Sequence, residues 1–325
     1  MKEPNIKTLN KLLKKHFPRC NVLSIKRITE GYTHFMYDCT LDAKPYSCIL
    51  RTGYNLKDDS CIAKELYVMR IYSKNRIPVP KIFASDVSRK SFPFDYIIMQ
   101  KFFDKTVAQL WGTLNNDDKA KIAFQMGRLL KSLHSIKVGG FGNIIAGGLK
   151  KKEEFNFRVL PGALKNSSWT RQVLKDAFED LSGIISYGAL TTDQCIWITK
   201  YLQNNMPLTA NADAALIHND FNLEHIFVKK SNNDWAITGL VDVEFVESYA
   251  KEFDFIKLHR RGLLDDKQFK SALFKGYGIS INSRFDELVK YYRIVRDLGF
   301  AYHLLKAGDM TTYKKAIEYI MAATG

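Results

Sequence analysis

Through the first hundred residues apolar and polar positions mostly alternate, and beyond residue 107 the apolar ones recur every three or four. The first pattern belongs to strands with one buried face, the second to amphipathic helices. Ahead of the strands, Leu9, Leu12, Leu13 and Phe17 fall at helical spacing with lysines opposite. They predict a short basic helix docked on the first sheet rather than on a membrane surface. Val22–Ile28 and Met36–Leu41 flank the turn Glu30-Gly31-Tyr32-Thr33, and Tyr46–Arg51 supplies a third strand. A helix is expected over Ser60–Asn75, where Ile62, Leu66, Met69 and Ile71 follow a helical pattern. Ile77-Pro78-Val79-Pro80 must end it, because each proline drives the residue before it into extended backbone. Strands at Lys81–Ala84 and Phe94–Met99 complete an expected five-stranded antiparallel sheet crossed by one helix.

Helices are predicted over Asp117–Ile136, Trp169–Ile184, Thr192–Met206 and Leu288–Leu305, the first ended by Gly139-Gly140-Phe141-Gly142. Between the last two, His225–Lys229 and Trp235–Val241 form a hairpin across the polar turn at 230–234. The expected fold is therefore α+β and bilobal. A small antiparallel β lobe spans residues 1–103 and a larger, mostly helical lobe spans 104–325, with a hinge near Gln100–Asp104 and a cleft between the lobes.

Composition narrows the partners. No run approaches the roughly 18 consecutive apolar residues of a membrane span, and the N-terminus lacks the apolar core and cleavage site of a secretory signal. Five cysteines (Cys20, Cys39, Cys48, Cys61, Cys195) are scattered without paired spacing. That favours reduced thiols in a cytoplasm over a disulfide framework or a zinc site. The formal charge of +15 favours anionic partners in general. The lysines, however, form no dense arm and no aromatic-basic interleave, so nucleic acid is not an expected partner. Monomer and homodimer are both compatible with the chain.

Two segments carry the chemistry: LIHNDFNLEHIFV at Leu216–Val228 and VDVEF at Val241–Phe245. Asp220 sits on a tight loop, His225 follows five residues on, and the hairpin returns Asp242 close to His225. Phosphoryl transfer needs an acid to orient the attacking hydroxyl and accept its proton. It also needs ligands for the cation that bridges the nucleotide phosphates. His218-Asn219-Asp220 alone would mean little; its spacing and strand context make it specific.

Five landmarks in order extend this: the EGYTHFMY turn, the ILR strand, the Glu65 helix followed by IPVPKI, the helix ending LLKSLHSI, and HNDFNLEH with VDVEF and EFDF. With these the chain resembles, over nearly its whole length, the aminoglycoside phosphotransferase and choline-kinase-like group, which shares the protein-kinase-like fold. The resemblance implies an enzyme that moves the γ-phosphoryl of ATP or GTP to a hydroxyl of a small molecule, with Mg2+ or Mn2+ as cofactor. It makes Asp220 the catalytic acid-base group and His225 and Asp242 the metal ligands. His218 then supports the loop and Asp254 braces it. Many relatives carry Asn where His225 stands; imidazole is the softer ligand and suits Mn2+ better than Mg2+. Some macrolide and aminoglycoside kinases are similar in having His there.

The resemblance also implies that Arg51 pairs with the nucleotide phosphates and is held by Glu65, with Lys44 and Lys57 as substitutes. Gly31 would turn a loop over the phosphates, and the backbone of Met99–Phe102, Gln100 included, would hold the purine. The acceptor is expected against residues 150–207 and the acidic segment after Asp242. Glu244 and Glu247 are its pocket candidates, suited to a cationic aminoglycoside and, with it, antibiotic resistance. Two rivals stand beside this reading: a metabolic kinase acting on choline, ethanolamine or a similar amino alcohol, and a nucleotide-binding pseudokinase scaffold.

Overall fold

The computed structural model describes residues 3–29, 34–53, 61–146, 157–159, 166–232, 234–280 and 283–324. Its elements begin with α1 (Ile6–His16), β1 (Val22–Ile28), β2 (His34–Leu41), β3 (Ser47–Gly53), α2 (Cys61–Lys74), β4 (Ile82–Asp86) and β5 (Tyr96–Met99). There follow β6 (Lys105–Thr106), α3 (Val107–Leu110), α4 (Asn116–His134), β7 (Ile144–Ala146), β8 (Phe157–Val159), α5 (Asn166–Ser186) and α6 (Thr192–Asn205). The chain continues through β9 (Ala214–Ile217), β10 (Ile226–Ser231), β11 (Asp234–Leu240) and β12 (Glu247–Ala250). It closes with α7 (Ile256–Arg260), α8 (Lys267–Tyr277), α9 (Ser283–Ala307) and α10 (Met310–Thr324). These elements gather into two units. One comprises Met1–Gln125, Ile144–Arg158 and Asn222–Val246, and the other Met126–Asn143, Val159–Phe221 and Glu247–Gly325.

The first unit is built on a five-stranded antiparallel sheet of order β1-β2-β3-β5-β4, as the alternation predicts. Successive side chains on a strand point to opposite faces, so each strand divides its residues between two tasks. Phe35, Tyr37, Cys48, Leu50, Tyr96 and Ile98 join one apolar core, onto which α1 lays Leu9, Leu12 and Leu13. Those leucines are at most 1% exposed, each contributing roughly 1.5–3 kcal/mol by leaving water. The apolar face of α1 is therefore consumed by the sheet, as expected. Asn5 starts the helix by accepting from the Thr8 amide at 2.9 Å. The alternate positions, His34, Met36, Ile49, Arg51 and Met99, line a cavity instead.

The hairpin β10–β11 comes late in the chain yet gathers with this first unit. β6 pairs with the free side of β10, and the Leu240 amide donates to the Pro78 carbonyl at 2.7 Å. Phe102 packs its ring 5.0 Å from that of Phe227. It does so across Gly239, where a Cβ would lie 2.6 Å from the Phe102 ring. The close approach needs a residue without a side chain.

The second unit centres on α9, 25 residues long, whose Tyr291, Tyr292, Ile294 and Leu298 are all fully buried. Charged residues such as Lys290, Arg293 and Asp297 share this helix, yet its apolar positions are packed by α5, α6 and α10. The ribbon β9–β12, antiparallel with Ile217 opposite Glu247, is not anticipated by the sequence reading. Both strands are four residues long, too short for periodicity to separate strand from helix. Among the described residues no helix is long and apolar enough to cross a membrane. The cysteines whose side chains are described, Cys20, Cys39, Cys48 and Cys195, are free thiols.

Helix α4 meets α8 at Gly127, where a Cβ would sit 2.0 Å from the Leu273 carbonyl oxygen and 2.7 Å from the Tyr277 nitrogen. Backbone cannot yield as a flexible side chain can. Gly127→Ala is expected to cost about 1–3 kcal/mol, the usual size of an overpacking penalty, read as a lower urea midpoint in circular dichroism.

Candidate active site

Each unit assembles its own group of site residues. In the first, the cavity measures about 1090 Å³, at the large end of small-molecule and cofactor sites. Strand β3 points Arg51 into it, and the side chain is almost wholly buried. Arg51 Nη1 donates to Glu65 Oε1 on α2 at 2.9 Å, and Nη2 donates to Glu244 Oε2 at 2.6 Å. Asp242 Oδ1 lies 3.8 Å from Nη1. His34 Nε2 lies 3.0 Å from the same Glu244 oxygen. Burial pushes the Glu65 carboxyl above its ordinary value, and the neighbouring Arg51 charge opposes that shift.

At the end of the hairpin, His225 Nε2 is 3.3 Å from Asp242 Oδ2. The Val241 amide donates to the His225 carbonyl at 3.1 Å, which fixes the backbone that carries both. Asn222 organises the approach: its Oδ1 accepts from the Glu224 amide at 2.8 Å, and its Nδ2 lies 3.2 Å from His225 Nδ1. Asp242 takes a left-handed backbone conformation, φ 63 and ψ 56, which costs a residue with a Cβ roughly 1–3 kcal/mol. Gln100 sits at the edge of the cavity, its amide donating to the Lys81 carbonyl and its Oε1 accepting from the Lys81 amide. Lys44 is exposed in the β2–β3 turn, while Gly31 and Lys57 lie outside the described residues.

The second unit holds the loop that follows β9. Asp254, its side chain fully buried, accepts from the His218 amide at 2.8 Å and from the Asn219 amide at 2.6 Å. His134 Nε2 approaches it at 3.0 Å, and His134 Nδ1 is 2.8 Å from the Tyr277 hydroxyl. His218 is fully buried and its Nδ1 accepts from the Asp220 amide at 3.3 Å. Asn219 is left-handed with φ 64, a conformation asparagine tolerates. Arg296 on α9 fixes it, Nη1 donating to Oδ1 and Nη2 to the carbonyl, each at 2.7 Å. Burial draws the Arg296 guanidinium below its ordinary value, and Asp220 pushes it back. Lys257 Nζ lies 2.8 Å from Asp220 Oδ1. Glu247 opens β12 opposite Ile217.

Sequence reasoning did not find His34, Lys257 or Arg296. Lys257 follows Asp254 by three residues, a spacing visible in the chain. Arg296 is one charge among many on a long helix and carries no local signal. His134 was visible only as part of LLKSLHSI, without its task.

The model of the phosphotransferase enzyme family matches residues 24–288, and the chain belongs to that family. Among solved structures, the GDP complex of wild-type aminoglycoside 2'-phosphotransferase-IIIa is similar at 15% identity and a TM-score of 0.71, covering 99% of each chain. ADP-bound aminoglycoside phosphotransferase APH(2'')-Ib is similar at 16% identity and 0.66, covering 99% of this chain and 98% of its own. Macrolide 2'-phosphotransferase type I stands at 13% identity and 0.63, covering 100% and 98%. Identities this low speak to fold alone, and the fold is the α+β, protein-kinase-like one expected. No curated protein matches the chain.

Asp254 stands in for a turn of backbone by taking two main-chain amides at once. Asp254→Ala would leave both amides and His134 without their acceptor, at about 1–3 kcal/mol for each buried group. The expected outcome is a thermal midpoint several degrees lower, and phosphoryl transfer reduced further than nucleotide affinity.

Proposed function

We propose that this phosphotransferase binds ATP or GTP in the cavity of its first unit and transfers the γ-phosphoryl to a hydroxyl of a small cationic molecule of the aminoglycoside type. The carrying observation is the convergence of Arg51, Glu65, His225 and Asp242 on one cavity large enough for a nucleotide. Arg51 is the cation for phosphate oxygens, and the backbone of Met99–Phe102 offers the purine its hydrogen bonds.

His225 and Asp242 fit a divalent cation. Two ligand atoms at right angles on one ion, each about 2.1 Å away, stand about 3 Å apart, close to the 3.3 Å between Nε2 and Oδ2. A carboxylate suits Mg2+, and imidazole makes Mn2+ equally acceptable. The ion would neutralise charge on the phosphates. Asp220 orients the acceptor hydroxyl and takes its proton as the new bond forms. His218 and Asp254 keep its loop in shape, and Lys257 holds the carboxylate from one side. The transition state is loose, so position and charge count for more than basicity. Two of the solved structures named above are complexes with GDP or ADP, and another of similar fold was captured with GDP and kanamycin. They support nucleotide and aminoglycoside as the first substrates to try.

The test is nucleoside diphosphate release with Mg2+ or Mn2+ across aminoglycosides, macrolides, choline and other amino alcohols. Wild-type protein is expected to turn over with an aminoglycoside. Asp220→Ala is expected to lose at least about 100-fold in kcat, the scale of a general base, while still binding nucleotide. Asp242→Ala should lose the metal-dependent rise in melting temperature that nucleotide gives. Turnover with choline or ethanolamine alone would move the acceptor to a metabolic alcohol. Nucleotide binding without release to any acceptor or to water would mark a scaffold.

A further inference from the structure

We propose that Glu244 and His34 are positioning residues for Arg51, with Glu244 the second carboxylate that an arginine requires at this place on β3. The inference rests on the nucleotide-binding reading above. Sequence order alone would put Glu244 with the acceptor, because it follows Asp242 by two residues. Its side chain is instead only 8% exposed and is bonded to Arg51.

A guanidinium is a flat fork, whereas a lysine ammonium is a point charge. Glu65 takes one terminal nitrogen of Arg51, Nη1, at 2.9 Å. Glu244 takes the other terminal nitrogen at 2.6 Å, from the turn Val243–Phe245 rather than from α2. Two carboxylates on different nitrogens fix the plane of the fork as well as its place. That plane matters because Asp242 Oδ1 stands only 3.8 Å from Nη1. The orientation of Arg51 sets the charge that the Asp242 loop feels.

Glu244 has a second neighbour within ion-pair distance, though the contact is not aligned as a hydrogen bond. His34 Nε2 lies 3.0 Å from the oxygen that accepts from Arg51, with its own side chain 4% exposed. His34 opens β2 opposite Gly53, two places along from the Met36–Arg51 pair. Buried ionic groups are tolerated only when their partners are in place. The set His34, Glu244, Arg51 and Glu65 thus ties the start of β2, the end of β3, α2 and the Asp242 loop into one network.

The experiment measures nucleotide and acceptor KM for wild type, Glu244→Gln, Arg51→Lys and the double variant. Each single change is expected to raise the nucleotide KM about tenfold, as neighbours in one ion-pair network do, with the acceptor KM unchanged. The double variant should be no worse than Arg51→Lys alone, because a lysine has one nitrogen and cannot present the separate ones that Glu65 and Glu244 take on Arg51. His34→Ala should raise the nucleotide KM in wild type but not in Glu244→Gln. A lower nucleotide KM in Glu244→Gln would overturn the proposal by making Glu244 a mask over Arg51. A rise in acceptor KM alone would return Glu244 to the acceptor, and multiplicative losses in the double variant would make the residues independent. If Glu244→Gln does not fold, Glu244→Asp keeps the charge but withdraws it by one methylene. Titrated with a fluorescent nucleotide, it supports the proposal by binding more weakly than wild type and overturns it by binding equally well. A wild type that binds no nucleotide overturns the functional reading itself, and is told apart from one that binds while its variants bind as well.

Discussion

A carboxylate or guanidinium removed from water persists only beside charged or hydrogen-bonding partners, and this constraint organises both groups of site residues. Asp254 meets it with two backbone amides and the His134 ring. Arg51 meets it with carboxylates from α2 and from the turn after the hairpin. In each case the partners come from segments far apart in the chain. Satisfying the buried charge therefore requires the surrounding fold to be in place. Leaving such a group unpaired costs several kcal/mol.

The parts of the fold that repeat a local rule were legible in the sequence. The five-stranded sheet follows from alternation, α1 from its three leucines, and the end of α2 from two prolines. In the sheet the observed ends differ from the expected ones by a residue or two, as with β2, which starts at His34 rather than Met36, whereas α9 starts at Ser283 rather than Leu288. The ribbon β9–β12 was not legible because Ala-Ala-Leu-Ile has no period to read. It is made a strand by Glu247–Ala250, thirty residues later. Asp220, His225, Asp242 and Asp254 could be singled out because their spacing is itself the motif. His34 and Arg296 could not, since each acquires its task only from a partner brought by tertiary contact, Glu244 in one case and Asn219 in the other.

The backbone at Asn219 and Asp242 gives these arrangements a further common feature. Both residues adopt positive φ, and neither is glycine. At Asn219 the side chain helps to hold the conformation, because its Oδ1 and its carbonyl both accept from Arg296. At Asp242 the constraint comes from outside. The Val241 amide is tied to the His225 carbonyl, and Glu244, two residues on, is tied to Arg51. The chain must reverse between those anchors, and a left-handed residue accomplishes that in a single step. Glycine would make the same bend without strain but could not supply a carboxylate. An aspartate held there by its neighbours gives both the bend and the oxygen that faces His225 Nε2. Strain of this kind persists only where surrounding contacts over-determine it, which is why the ion pair on Arg51 and the geometry at Asp242 form one problem rather than two.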